Sequence, residues 1–363
     1  MKVAILVPSS LKKTDGNTVR ARRVISIIGG RFDTTVLAGT AQGEVTRSYA
    51  GVPVQSFFRF DKSIFMNPFK LARANFLFLR SLLSSHFDVV YAEGLYFLPS
   101  LFLAARLVGT RFIFEAHALA HKERAQVSSI IPFLLLVIEA LIGRSAAAIV
   151  ALSGETQRFF ARVNKRTLFV PVFVDTSVYK NGRHDFTESQ RKTVGLVGPF
   201  KGLFNKGQIE FVMKNLERFD RRISFALIGE LDMQLDSEKV RKTGFLQEER
   251  DYASTLVEMD ALMVPVQVGT FGPKNKMIEA MACGVPVFTT PAGVIGLDFA
   301  RPGENIFVCE EEKLVDTINK MLFAKDRMAE VSSNARKMVE DHYSLEVCGR
   351  SITNIIEMVS RHV

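Results

Sequence analysis

The chain has 363 residues, is 47% hydrophobic and 23% charged, and carries a net charge of +9 with three cysteines. That length and apolar content suit a well-packed protein of two domains and exclude a chain too polar to bury a core. Cys283, Cys309 and Cys348 show no metal-ligand spacing and leave one thiol unpaired, which excludes a disulfide framework and points to a reducing compartment, the cytosol.

The first apolar run, within Met1 to Pro8, is too short for a signal-peptide core and reads as a buried first strand. A helix through Arg20–Ile28 separates it from a strand at Thr34–Leu37. Further on, helix Phe69–Ser84 leads to strand Val89–Ala92, and helix Leu98–Leu107 to strand Arg111–Glu115. Helix Ile131–Ile142 then leads to strand Ala148–Leu152. Strands alternating with helices imply a mostly parallel sheet covered on both faces. A second series follows: strand Thr193–Val197, a glycine-containing turn Gly198–Gly207, helix Gln208–Leu216 and strand Ser224–Ile228. Strands at Val240–Phe245, Ala261–Pro265, Val285–Thr289 and Asn305–Val308 precede helices Lys313–Leu322 and Met328–His342. The polar stretch Asp175 to Lys192 is the expected linker. The division is therefore a first domain at 1–172, a linker at 173–192, a second domain at 193–345 and a closing helix at 346–363. In two facing α/β domains, ligands are expected at the carboxyl ends of the strands, in the cleft between them.

The charge is uneven. Residues 1–180 hold 23 basic against 11 acidic side chains, and residues 181–363 hold 24 against 27. A basic first half implies an anionic partner. No nucleic-acid motif accompanies the charge, so nucleic acid is not the expected partner. An anionic membrane surface suits the segment Phe57 to Lys70, where aromatics interleave with cations; a packed helix with solvated cations is its competing reading. No apolar run is long enough to span a bilayer, since Ile130 to Ile142 is short and contains Pro132 and Glu139. The expected location is cytoplasmic, peripheral at the inner face of the membrane.

The segment from Lys274 to Val287 is the densest in chemical signal. Glu279 stands at the start of an apolar helical run that Gly284 ends, and Pro286 leads into a strand. Its carboxylate either stabilises a helix start or accepts hydrogen bonds from a ligand's vicinal hydroxyls beside an anion-attracting N-terminus. The loop after the strand at 193–197 carries Gly198, Lys201, Lys206 and Gly207, where glycines admit a ligand to the backbone and lysines can face a diphosphate. It is neither a GxGxxG nor a Walker A loop. His117 lies just past the strand Arg111–Glu115, and Glu93 ends the strand before it. Asp15-Gly16-Asn17-Thr18 fills the first strand-to-helix loop, with Asn17 or Thr18 as the helix cap.

Glu279-Ala280-Met281-Ala282-Cys283-Gly284-Val285-Pro286-Val287 resembles, residue by residue, the donor-binding segment of GT-B glycosyltransferases, the retaining family 4 group especially. The resemblance implies two Rossmann-like α/β domains and transfer of a sugar from a nucleotide-sugar donor, such as a UDP- or GDP-sugar, without a metal or other cofactor. It implies catalytic roles for His117, Lys206 and Glu279, with Glu279 on the ribose and Lys206 on the leaving diphosphate. Substrate contacts are implied at Gly16, Asn17, Glu93, Gly198, Lys201, Gly229, Leu246, Gly272, Lys274, Lys276 and Gly293. His342-Tyr343-Ser344 resembles the lead into the family's closing helix. Two positions depart from the pattern. Phe271 stands where the family has an earlier acid, and Pro199 where it has an arginine, for which Lys201 is the expected substitute. The acceptor is unassigned; a lipid-linked molecule or a glycan would each suit it. Two other readings stay open: a nucleotide-sugar epimerase on the same scaffold, and a degenerate GT-B module that binds a nucleotide without turnover.

Overall fold

The computed structural model describes residues 1–12, 16–40, 46–59, 67–124, 131–182, 186–187, 191–200, 203–231, 237–266 and 272–361, with 124 and 203–206 described in their backbone only. The chain divides into two compact units, Met1–Val172 with Cys348–Val363, and Phe173–Val347.

The first unit runs β1 (Lys2–Val7), α1 (Gly16–Gly29), β2 (Asp33–Thr40), β3 (Ser48–Tyr49), β4 (Val52–Arg59), α2 (Pro68–Ser85) and β5 (Val89–Glu93). It continues through α3 (Leu98–Val108), β6 (Arg111–Ala116), α4 (Ala120–Arg124), α5 (Ile131–Ser145), β7 (Ala148–Ala151), α6 (Gly154–Ala161) and β8 (Thr167–Phe169). Among the described residues the strand order is β3-β4-β2-β1-β5-β6-β7-β8, parallel throughout except where β3 meets β4. The strands β1 and β7 are apolar and buried along nearly their whole length, as a sheet covered on both faces requires. Local chemistry sets the helix ends. Asn67 caps α2 by accepting from the amides of Phe69 (3.0 Å) and Lys70 (3.1 Å), with Pro68 at the first position. His86 in the left-handed region ends it.

The second unit runs β9 (Lys192–Val197), α7 (Leu203–Asn215), β10 (Ile223–Ile228), β11 (Val240–Gly244), α8 (Glu249–Val257), β12 (Ala261–Val264) and α9 (Asn275–Ala282). After these come β13 (Val287–Thr289), β14 (Phe307–Val308), α10 (Glu311–Met321) and α11 (Lys325–Met338). Its sheet, all parallel, has the order β11-β10-β9-β12-β13-β14. The last helix, α12 (Leu345–Ser360), belongs to the first unit from Cys348 onward, where Arg111 donates to the carbonyls of Val359 and Ser360.

Several expectations change. Phe57 to Lys70 is not one packed helix, since β4 runs to Arg59 and α2 starts at Pro68. Phe57 and Phe58 lie on β4 and are buried, with Phe57 5.1 Å from Phe78 and both rings 5.5 Å from Phe97. Residues 60–66 of that segment lie outside the described residues. The polar stretch after Val172 carries the buried side chains Phe173, Val174, Tyr179 and Phe186, and Val174 pairs with the Tyr343–Leu345 backbone, so these residues pack as part of the second unit. The turn expected at Gly198–Gly207 is helical from Leu203.

Candidate active site

In the second unit three glycines close the ends of three neighbouring strands. The Gly198 amide donates to Ile228 O (3.1 Å), and the Gly229 amide donates to Gly244 O (3.0 Å). Gly229 has φ +132°, and a Cβ there would sit 1.7 Å from the Gly198 carbonyl oxygen. Only glycine fits, because the backbones of β9 and β10 touch where a side chain would stand. Leu246, two residues beyond Gly244, is half-buried.

Helix α9 opens beside this edge. Lys276 donates its Nζ to Val197 O, the last residue of β9, at 2.7 Å, and to Gln208 Oε1 at 3.4 Å. Lys274, the residue before the helix, donates to Gly272 O at 3.3 Å. Burial, with Lys274 alongside, pushes Lys276 down to about 7, and burial pushes Lys274 down to about 8. The loop after β13 reaches the same place. Gly296 has φ +85°, and a Cβ on it would lie 2.7 Å from Pro273 N. Gly293 is packed so that a Cβ would lie 1.9 Å from Thr289 Oγ1. Gly198, Gly229, Gly272, Lys274, Lys276 and Gly293 thus stand along the carboxyl edge of one parallel sheet.

Glu279 is 5% exposed and occupies the fifth position of α9, where Lys276 is its i−3 neighbour. The first turn of α9 contains no acid. Stabilisation of a helix start is therefore not its role, because that effect fades beyond the first turn. The helix begins four residues earlier than Glu279, since Asn275 and Lys276 join the apolar run. Gly284 at φ +75° ends it, with the Val285 amide donating to Ala280 O at 2.9 Å. Lys206 falls in the first turn of α7 rather than in a loop, and its side chain lies outside the described residues, as do Lys201 and Phe271.

The first unit holds a second constellation. The register sets Glu93 directly beside Glu115 on β5 and β6, and His117 follows two residues on, over the same face. A buried acid, Glu115, beside the half-buried Glu93 requires compensation, and Arg20 supplies it to Glu115 from α1. Its Nε and Nη2 donate to the two Glu115 oxygens at 2.8 and 3.0 Å, and Nη1 donates to Pro171 O at 2.7 Å. Tyr91 donates its hydroxyl to Glu115 Oε2. The Nε2 of His117 lies 2.8 Å from Glu115 Oε1 and 3.6 Å from Glu93 Oε1, and its Nδ1 lies 3.2 Å from Asn17 Oδ1. Acceptors on both ring nitrogens favour the imidazolium. Burial opposes that charge, but Glu93 and Glu115 outweigh it and raise the His117 pKa. Burial would likewise raise the Glu115 carboxyl, yet Arg20 and His117 hold it well below the usual carboxylate range.

Gly16 starts α1 and is exposed. Asn17 lies within the first turn, so it does not cap the helix but meets His117 instead; Asp15 lies outside the described residues. His121 is bonded to Glu139 (2.5 Å) and stands apart from this cluster. Sequence reasoning did not single out Tyr91 or Glu115. The signal available was an acid in the middle of the apolar strand Phe112-Ile113-Phe114-Glu115-Ala116. Among the described residues no group of three or more His, Cys, Asp or Glu is arranged to hold a metal ion.

The family profile described as glycosyl transferases group 1 matches residues 191–323, and that of the glycosyl transferase 4-like domain matches residues 16–172. Between them they take in both units. The chain is a glycosyltransferase. No curated protein sequence matches it. Solved structures share the GT-B fold of this glycosyltransferase over its whole length. HepE of Anabaena, solved with UDP and glucose, is 18% identical over 99% of this chain and 100% of its own, with a TM-score of 0.72. Sucrose-phosphate synthase of Thermosynechococcus elongatus is 13% identical over 100% of both chains, at 0.80. WaaG, a glycosyltransferase involved in lipopolysaccharide biosynthesis, is 13% identical over 97% of this chain and 99% of its own, at 0.68.

Proposed function

We propose that this glycosyltransferase takes its sugar from a nucleoside-diphosphate sugar held on the carboxyl edge of the second sheet. One juxtaposition carries the proposal: Lys276 at the end of β9, with buried Glu279 one turn further along α9 and glycine backbone on the neighbouring strand ends. Glu279 accepts the ribose hydroxyls, which orients the donor rather than supplying a proton. Lys276 and Lys274, with the amides at the start of α9, neutralise the diphosphate as it leaves; Lys206 at the start of α7 is assigned the same task. Lys274 and Lys276 are both desolvated, so an arriving anion restores the charge that burial suppresses. HepE, solved with UDP-glucose, offers support by analogy of fold. In the first unit the His117 imidazolium, fixed by Glu115, Glu93 and Asn17, is a donor suited to sugar hydroxyls or phosphate.

We further assign retention of anomeric configuration and independence from metal, as the family resemblance implies. The acceptor attacks on the face from which the diphosphate departs, and cations and amides carry the stabilisation. Product anomer by NMR, and turnover in the presence of a chelator, check the two assignments.

The donor site is tested by calorimetric titration of UDP, GDP and ADP into the wild type and Glu279→Ala. Loss of a hydrogen-bonded carboxylate costs about 1.5–3 kcal/mol, so affinity for the preferred nucleotide falls by about 10- to 150-fold. No binding of any nucleotide to the wild type would refute the proposal. Binding without turnover on any acceptor would leave a nucleotide-binding module.

A further inference from the structure

Helices α2, α3 and α5 cover one face of the first sheet, since Phe78, Leu101 and Ile142 join a single core cluster with its strands. Their outer sides break the usual amphipathic pattern. In α5 only Glu139, Ile142 and Gly143 are buried, while Phe133 is 65% exposed and Leu134 and Leu141 are 55% and 57% exposed. On α3, Leu103 and Leu107 are exposed as well. Exposed apolar residues grouped in this way mark an interaction surface.

The charges are as selective as the apolar residues. The three helices contain one carboxylate among them, Glu139, and it is turned inward, accepting from the Ala120 amide (2.6 Å) and bonded to His121 Nδ1 (2.5 Å). The cations stay outside: Lys70, Arg73 and Arg80 on α2, Arg106 on α3 and Arg144 near the end of α5 are all exposed. The Arg106 guanidinium lies 4.8 Å over the Phe102 ring, on the helix that exposes Leu103 and Leu107.

We propose that this face docks on the surface of a bilayer containing anionic lipid, with α3 and α5 lying in the interface. At 1.5 Å per residue the 15 residues of α5 extend about 22 Å, short of the roughly 30 Å hydrocarbon core, so the helix lies in the interface and does not cross. No helix among the described residues is long and apolar enough to cross a membrane. A second copy of the chain suits the face less well. A two-fold contact sets the same patch against itself, bringing cations to cations with no exposed carboxylate on these helices to pair them. The proposal concerns the first unit's surface alone and does not depend on the donor site.

The chain has no tryptophan, so Phe133→Trp in the full-length protein provides a single fluorescent reporter. The expected result is a blue shift and co-sedimentation with phosphatidylcholine vesicles containing phosphatidylglycerol, and much weaker association with phosphatidylcholine alone. Leu134→Ser with Leu141→Ser lowers partitioning by about a hundredfold or more, because burying each leucine is worth about a factor of ten or more. Arg106→Gln with Arg144→Gln lowers it about 25-fold on the anionic vesicles only, at about fivefold per cation. All four side chains are exposed, and an unchanged melting curve controls for folding. Absence of partitioning by the wild type, equal binding to both vesicle types, or undiminished binding of the serine variant overturns the proposal. So does a wild-type dimer that the serine variant converts to a monomer with vesicle binding intact, which would make the face a contact between copies.

Discussion

Arg20 and Glu115 show how much one buried pair can hold. They are 3% and 2% exposed, and Arg20 also ties the carbonyls of Pro171 and Val170 to the sheet. Arg20→Met leaves the Glu115 carboxylate buried with less compensation, and stability in denaturant titration is expected to fall by about 3–5 kcal/mol. Adding Glu115→Gln recovers part of the loss. The pH dependence follows from the depressed Glu115 pKa. Its contribution is present above the ordinary carboxylate value of 4.5 and is lost as acid reaches the lower folded value, so the wild type outlasts Arg20→Met in acid. His117 has the opposite sign: its contribution is complete below the ordinary value of 6.5 and disappears as pH rises through the raised one. Lys276 differs again. With its folded pKa near 7, the unfolded chain binds the extra proton between about pH 7 and 10, so stability rises with pH across that window. Nucleoside diphosphate binding at pH 8 is expected to take up a proton. Calorimetry in buffers of different ionisation enthalpy reads that uptake directly, and Lys276→Met lowers it to the share taken up by Lys274.

At the scale of elements, the donor edge depends on backbone meeting backbone. Gly229→Ala sets a methyl group against the Gly198 carbonyl at a φ that alanine rarely adopts. The strand end must shift, at a cost of about 1–3 kcal/mol, and the turn proposed to face the nucleotide moves with it. Thermal melting and UDP titration are expected to show a lowered midpoint and weakened binding together. Gly30→Ala, in the first unit and away from the donor edge, is the matched control, because the nearest atom to its added Cβ is Ser26 O at 3.8 Å. The alternation of strands and helices was legible from apolar runs and glycine punctuation, and α2, α3, β5 and β6 lie within a residue or so of their expected bounds. The starts of α7 and α9 were not. In α7 the segment Leu203–Gly207, whose glycine signals a turn, joins the helix, and in α9 Asn275 and Lys276 join ahead of the apolar run, where periodicity carries no signal.

At the scale of the whole molecule, two units with separate cores mean that a single unfolding free energy is not well defined. Ligand effects are better read locally. UDP at a hundredfold its Kd stabilises the binding-competent state by about 2.7 kcal/mol. Hydrogen exchange is expected to slow around Gly198, Gly229, Lys274–Lys276 and Gly293, with the strands of the first sheet unchanged. Uniform slowing across both units would place the nucleotide elsewhere.

The sequence by itself determined the α/β alternation, the breaks at glycine, and the segment from Glu279 to Val287, because these are local properties of backbone preference and side-chain order. Tertiary structure decided the rest. It set Glu93 beside Glu115 through strand register and brought Arg20 to Glu115 from 95 residues away. It placed Lys276 on the carbonyl of Val197, 79 residues earlier in the chain. It also exposed α5, which is apolar nearly all round and in isolation reads as a core helix. Burial depends on which neighbours the topology supplies, and no local pattern encodes them.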